Sequence, residues 1–208
     1  MSRVVLATRN AKKLGELARI LGDDVQVLGL ADVPTFAELP ETGATFEDNA
    51  VDKARQAAAE TGEIALADDS GLAVDALNGM PGILSARWAG RHGDDPANTA
   101  LLLGQLSDVP DERRGAAFVC ALALATPEGR VEVVRGEWPG RIGRQVRGTN
   151  GFGYDPVFIP AESDAAGDGR TSAELSPAEK DALSHRGRAI RLMLPVLQEL
   201  LGPARTGR

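Results

Sequence analysis

Apolar residues crowd the beginning of the chain, where Arg3-Val-Val-Leu-Ala-Thr8 predicts a buried strand and Leu14, Leu17, Ala18 and Leu21 recur at helical spacing over Ala11 to Leu21. The chain therefore opens strand, tight turn, helix. A second helix is predicted from Thr45, which with Asp48 forms an acidic variant of the capping box, through Ala50, Val51, Ala54, Ala57 and Ala58 to a stop at Gly62. The run Ile64-Ala-Leu-Ala67 then predicts a strand whose end delivers Asp68-Asp69-Ser70-Gly71, before Leu72-Ala-Val74 resumes an extended pattern. The glycine- and proline-bearing stretch 78–96 predicts an ordered loop leading into a helix over 97–106. Stretches 115–125 and 130–137, joined by Thr126-Pro-Glu-Gly129, predict the long antiparallel hairpin of the fold. After them come a glycine turn, Gly151-Phe-Gly-Tyr-Asp-Pro156, a short strand Val157-Phe-Ile159 and an aperiodic polar loop over 161–174. A capping box, Ser176-Pro-Ala-Glu179, starts another helix, and Ala189 to Leu201 predicts a last one, kinked at Pro195.

This alternation is that of an α/β protein. No repeat, low-complexity tract or linker divides the chain, which reads as a single domain over 1–208, with an ordered core over about 3–201 and a short C-terminal tail. With 208 residues, 43% hydrophobic and 25% charged, it can bury a core that needs neither disulfide nor structural zinc. Cys120, the sole cysteine, sits in the apolar run Ala116 to Leu124 and reads as an inert buried thiol. One cysteine and two histidines, His92 and His185, cannot build a zinc site of the usual kind, so a bound metal is expected to be a hard cation held by oxygen: Mg²⁺, Mn²⁺ or Ca²⁺. No stretch is long and apolar enough for a membrane span and the N-terminus lacks a signal-peptide layout, so the expected location is cytoplasmic and no membrane partner is expected. A net charge of −7 speaks against a sequence-independent grip on nucleic acid but leaves room for a small anionic ligand.

Candidate chemistry gathers in four places. Only four of the 23 cationic side chains are lysines, Lys12, Lys13, Lys53 and Lys180, so their positions carry information. The turn Thr8-Arg-Asn-Ala-Lys-Lys13 leads a strand into a helix N-terminus, where backbone N–H groups and the helix dipole favour an anion; equally, Asn10 can simply cap the helix while both lysines are solvated. Asp68-Asp69 at a strand end can face a ligand crevice, one holding metal and the other orienting water, or can be an Asx turn beside a solvated charge. Glu41 and Glu47 add acid upstream, Glu47 being explained as readily by the helix N-terminus it flanks. Gly151-Phe-Gly-Tyr-Asp-Pro156 places the sole tyrosine beside Phe152 in a glycine turn, either a stacking shelf for a ring or a turn that packs Phe152 into the core. Ser184-His-Arg-Gly187 offers cation and donor groups or is an ordinary capping sequence, and Trp88 and Trp138 read as packing or interface residues.

Together these are the parts needed to hold a metal-bound nucleoside triphosphate. In order and spacing, Thr8–Lys13, Glu41–Ala50 with Lys53, Ala67–Val74, Pro81–Arg87, Gly151–Pro156 and Ser184–Gly187 resemble the successive signatures of the inosine/xanthosine triphosphate pyrophosphatase family, the Ham1-like, RdgB-type enzymes. One departure is Arg9, where the family pattern has glycine. The resemblance implies an elongated mixed β-sheet with flanking helices, in two lobes with the active-site cleft between them, and a homodimer. It implies Mg²⁺-dependent hydrolysis (with Mn²⁺ as substitute) of dITP, ITP and XTP to monophosphate and pyrophosphate. Carried over by position, Asp69 is the catalytic proton acceptor, and Glu41, Asp68 and Asp69 surround the metal. Thr8, Arg9, Asn10, Ala11, Lys12, Lys13, Lys53 and Ser70 attend the triphosphate; Phe152, Gly153, Tyr154, Asp155, Lys180, His185 and Arg186 attend base and sugar, with Arg186 donating to a 6-oxo group. The alternatives weighed are a Maf-like pyrophosphatase for modified pyrimidine triphosphates and a nucleotide-binding module without turnover.

Overall fold

The structure, a computed structural model, describes residues 3–21, 25–37 and 39–201, so the expected C-terminal tail lies outside the described residues. In chain order the elements are β1 (Arg3–Leu6), α1 (Ala11–Leu21), β2 (Gln26–Gly29), α2 (Phe46–Thr61), β3 (Ile64–Val74), α3 (Asp95–Gln105), β4 (Gly115–Ala125), β5 (Val131–Ile142), β6 (Phe158–Pro160), α4 (Ala161–Ala166), α5 (Pro177–Leu183) and α6 (His185–Leu201). The strands form one mixed sheet in the order β2-β1-β3-β4-β5-β6. β1 pairs in parallel with both neighbours, Val5 opposite Leu28 on one side and Ala65 on the other, whereas β5 and β6 are antiparallel, Arg141 opposite Ile159.

The local signals explain most boundaries. Thr45 and Asp48 form the expected reciprocal capping box on α2, which ends at a left-handed Gly62 (φ 68°). Ser176 and Glu179 do the same for α5, with Pro177 at its first position. Thr126 N donates to Arg130 O and Gly129 N to Thr126 O, both at 3.0 Å, closing the turn between adjacent β4 and β5.

Three expectations are corrected and one element is added. Residues 64–74 form one unbroken strand rather than a strand that ends at the acid pair, so Asp68 and Asp69 lie in mid-strand. β3 lies between β1, which pairs with it at residues 64–66, and β4, and its place inside the sheet outweighs the turn preference of Asp-Asp-Ser-Gly. β5 continues to Ile142 through Pro139 and Gly140; a Cβ on Gly140 would overlap the Ile159 carbonyl of β6, so this glycine marks a close strand approach rather than a break. Residues 161–166 are a helix, too short to show periodicity. β2, with one buried residue in four, went unread.

The chain divides into two compact units. One comprises the chain through Asp69, Cys120–Gly136 and Arg186 onward; the other comprises Ser70–Val119 and Glu137–His185. In the first, Leu6, Leu66, Cys120, Leu122 and Leu124 of the sheet pack with Leu17 and Leu21 of α1 and Ile190, Met193 and Leu197 of α6. Cys120 is buried there, as its apolar run implies. In the second, Phe118, Trp138 and Phe158 form an aromatic cluster with Leu72, Leu102, Leu106 and Tyr154. Among the described residues no helix is long and apolar enough to cross a membrane.

Candidate functional site

Side chains alternate along β3, so Asp68 and Asp69 leave the strand in opposite directions. Asp68 shares the side of Leu66, toward α1 and α6, where Lys13 Nζ lies 2.9 Å from its Oδ2 and Arg186 Nη2 lies 3.5 Å from the same oxygen. Asp69 turns toward α2, accepting from Lys53 Nζ and from Asn49 Nδ2, each at 3.1 Å. Both acids are nearly sealed from solvent, 2% and 7% exposed. Lys53 Nζ also lies 2.5 Å from Glu41 Oε1, so two carboxylates share one ammonium.

The electrostatics follow from this burial. Desolvation pushes the Asp69 carboxyl above the ordinary carboxylate value, although Lys53, Lys13 and the Asn49 hydrogen bond oppose it. Burial works against the Lys53 ammonium, yet Asp69, Glu41 and Asp68 outweigh it and hold Lys53 above its usual value. Arg186 is 2% exposed; desolvation disfavours its charge, and Asp68 with Glu16, to which its Nη1 donates, more than restore it.

Of the anion-turn residues, Asn10 acts as the helix cap, its Oδ1 accepting from Lys12 N at 3.0 Å and Lys13 N at 3.2 Å, while Asn10 N donates to Thr8 Oγ1. Arg9, Ala11 and Lys12 are exposed, and Arg9 Nη2 donates to the Phe36 carbonyl at 3.2 Å. Ser70 follows in β3, half-buried.

The second unit holds the glycine turn. Asp155 is buried and accepts from Lys180 Nζ at 2.6 Å, Phe152 N at 2.8 Å and Ser172 Oγ at 2.8 Å. A Cβ on Gly151 (φ 76°) would overlap the Asp155 carboxylate, which explains that glycine. Phe152 is half-buried with Lys180 Nζ 5.1 Å from its ring centre. Tyr154, by contrast, is a core residue: 3% exposed, it donates its hydroxyl to the Ser85 carbonyl at 2.9 Å. The two aromatics of the turn thus part company. His185 is buried and stacked on Phe118, ring centres 4.9 Å apart.

Sequence reasoning missed Asn49 and Glu16. Asn49 lies four residues before Lys53 on one face of α2, and that spacing was a usable signal. It also accepts from Gly43 N at 2.8 Å, tying the Glu41 segment to Asp69, and a Cβ on Gly43 would come within 2.6 Å of its Oδ1. Glu16 is a buried carboxylate between Leu14 and Leu17 on the apolar side of α1, a place where an acid implies a partner.

The chain is similar to proteins of known family. The family model described as the Ham1 family matches residues 4–196. A dITP/XTP pyrophosphatase of Nocardia farcinica is 64% identical over 204 residues, covering 96% of this chain and 97% of that protein. Among solved structures, a nucleoside-triphosphatase / dITP/XTP pyrophosphatase of Mycobacterium abscessus superposes with a TM-score of 0.75 at 63% identity, covering 93% of this chain and 99% of the other. A HAM1 protein of Coxiella burnetii gives 0.82 at 42% identity, covering 96% and 100%.

Proposed function

This chain belongs to the Ham1 family, and from that premise we propose that it is a nucleoside-triphosphate diphosphatase that splits dITP, ITP and XTP into monophosphate and pyrophosphate, clearing deaminated purines from the nucleotide pool of the cytoplasm. The observation that carries the chemistry is the division of the acid pair between two faces of β3, each acid set against a lysine.

In this reading Asp69 accepts the proton of the attacking water and aims it at the α-phosphorus; burial, by raising its proton affinity, suits it to that task. Lys13 and Lys53 bind the triphosphate, with Thr8, Asn10 and the backbone at the start of α1 beside them. Charge must then be exchanged, because phosphates that take the lysines leave Asp68, Asp69 and Glu41 to another cation. The donor set is all carboxylate oxygen, which suits Mg²⁺ or Mn²⁺, and Glu41 and Asp69 already converge on one cationic centre, the Lys53 ammonium. Among the described residues no group of three His, Cys, Asp or Glu side chains is gathered as a metal site. A bound divalent ion would supply countercharge for the phosphate oxygens and the leaving pyrophosphate.

Phe152 offers a ring face to the purine. For a 6-oxo group Arg186 is the donor assigned by likeness, and to serve it must exchange one of its bonds to Glu16 or Asp68. Adenine, with a 6-amino group, leaves that donor unpaired. The family likeness also supports a homodimer, which sedimentation would show as twice the 21.8 kDa chain.

The test is pyrophosphate release over ITP, XTP, GTP, ATP and dTTP with and without Mg²⁺. ITP and XTP are expected to lead and to require the ion. Preference for dTTP, or equal rates with ITP and ATP, would reject the purine reading. Asp69→Asn is expected to lower turnover by about a thousandfold while still binding nucleotide; unchanged turnover would remove Asp69 from the mechanism.

A further inference from the structure

The Gly151–Asp155 turn is gripped by residues that none of the roles above uses. At the start of α3, Asp94 caps the helix by accepting from Ala97 N at 3.2 Å. The next carboxylate reaches outward instead: Asp95 Oδ2 accepts from Gly153 N at 2.8 Å. One helical turn on, Thr99 Oγ1 donates to Gly153 O at 3.3 Å. Both polar groups of one residue are therefore taken by side chains at i and i+4 of one helix. Gly153 has φ +61°, and a Cβ there would meet nothing within 4 Å, so glycine is needed for its dihedral rather than for room. Backbone in that region persists where its surroundings hold it. On the other side of Phe152, Asp155 fixes the Phe152 N–H and is itself pinned by Lys180 and Ser172. Phe152 thus stands between two clamps, one internal to the turn and one supplied by α3.

We propose that Asp95 and Thr99 are positioning residues for recognition of the substrate's base: by holding the Gly153 peptide they set the ring of Phe152 before any ligand arrives. This rests on the reading that the turn receives the purine. Neither residue touches substrate. A turn released from α3 must be ordered when the base binds, so the loss falls on affinity for base-bearing ligands and leaves the phosphate chemistry alone.

Asp95→Ala, Asp95→Asn and Thr99→Val are compared with the unmutated full chain in ITP hydrolysis, inhibition by inorganic tripolyphosphate, which carries no base, and hydrogen exchange over residues 150–156. Asp95→Ala is expected to raise KM for ITP about tenfold with kcat within about twofold. Tripolyphosphate inhibition stays constant and exchange at Phe152 and Gly153 accelerates. Asp95→Asn, which keeps an acceptor oxygen, recovers most of the affinity. If Asp95→Ala does not fold, Thr99→Val carries the same comparison from the carbonyl side. A KM within about twofold of the unmutated value, or a parallel loss for tripolyphosphate, overturns the proposal. If the unmutated protein turns over no purine triphosphate, the parent reading falls and takes this one with it; normal ITP turnover with an indifferent Asp95→Ala sinks the positioning role alone.

Discussion

At Asp69 burial and countercharge pull in opposite directions, and burial prevails, raising the carboxyl while Lys53, Lys13 and Asn49 resist. At Arg186 the balance reverses, since two carboxylates overcome the desolvation of a guanidinium that is 2% exposed. That makes Arg186→Ala a poor probe of base reading, because it strips countercharge from buried Asp68 and Glu16, and removing one partner of a buried pair costs about 3–5 kcal/mol. Tyr154 permits a cleaner measurement, being the only tyrosine. Burial, helped by Asp95, lifts its phenol well above the ordinary 10.0, so folding favours the neutral form. The associated stability is whole below pH 10.0 and is lost as pH rises through the raised folded value. An ultraviolet titration is therefore expected to show no phenolate at pH 10.0 in the folded protein, with the signal appearing alongside unfolding; a free titration at that pH would place the ring in solvent.

Single elements do several jobs at once. One side of α3 carries Asp95, Asn98 and Thr99 at i, i+3 and i+4; Asn98 accepts from Ala89 N and donates to Ala86 O, while its neighbours hold Gly153. α2 likewise delivers Asn49 and Lys53 to Asp69 from one face. α5 brings Lys180 to Asp155 in a pair whose side chains are 7% and 2% exposed. Lys180→Met is expected to lower stability by about 3–5 kcal/mol, because Asp155 then lacks its countercharge while remaining buried. Thermal unfolding checks this, and a shift near zero would mean that the Phe152 and Ser172 bonds suffice for Asp155. Helices α2 and α5 were legible from their caps: Thr45 with Asp48 and Ser176 with Glu179 are local chemistry and need no distant partner. The course of β3 was not legible, because whether Asp-Asp-Ser-Gly turns or stays extended depends on strands from elsewhere in the chain.

Over the whole molecule, each compact unit is assembled from separated stretches of chain, and each has its own core. In the second, Arg114 is buried with its guanidinium on backbone carbonyls: its Nε donates to Ile142 O at 2.8 Å, Nη1 to Leu106 O at 2.5 Å and Nη2 to Gly143 O at 2.8 Å. It adds a donor at the ends of α3 and β5, where Leu106 O also accepts from Val109 N at 3.1 Å, and desolvation lowers its proton affinity. Arg114→Met is expected to cost about 2–5 kcal/mol by removing the guanidinium donors from the Ile142 and Gly143 carbonyls. Trp88 and Trp138 both lie in that unit, so their fluorescence reads the loss directly; an unshifted midpoint would show that water replaces the guanidinium. By itself the sequence determined the caps of α2 and α5, the Gly62 stop, the buried cysteine and the ordered motifs that carry the family likeness, since each depends on residues near one another in the chain. Only the tertiary structure decided that Asp68 meets α1 and α6 while Asp69 meets α2, that Tyr154 is core and Phe152 is not, and that Asp95 and Thr99 hold Gly153. Those outcomes turn on strand order and on which buried charges find partners, and neither quantity is local.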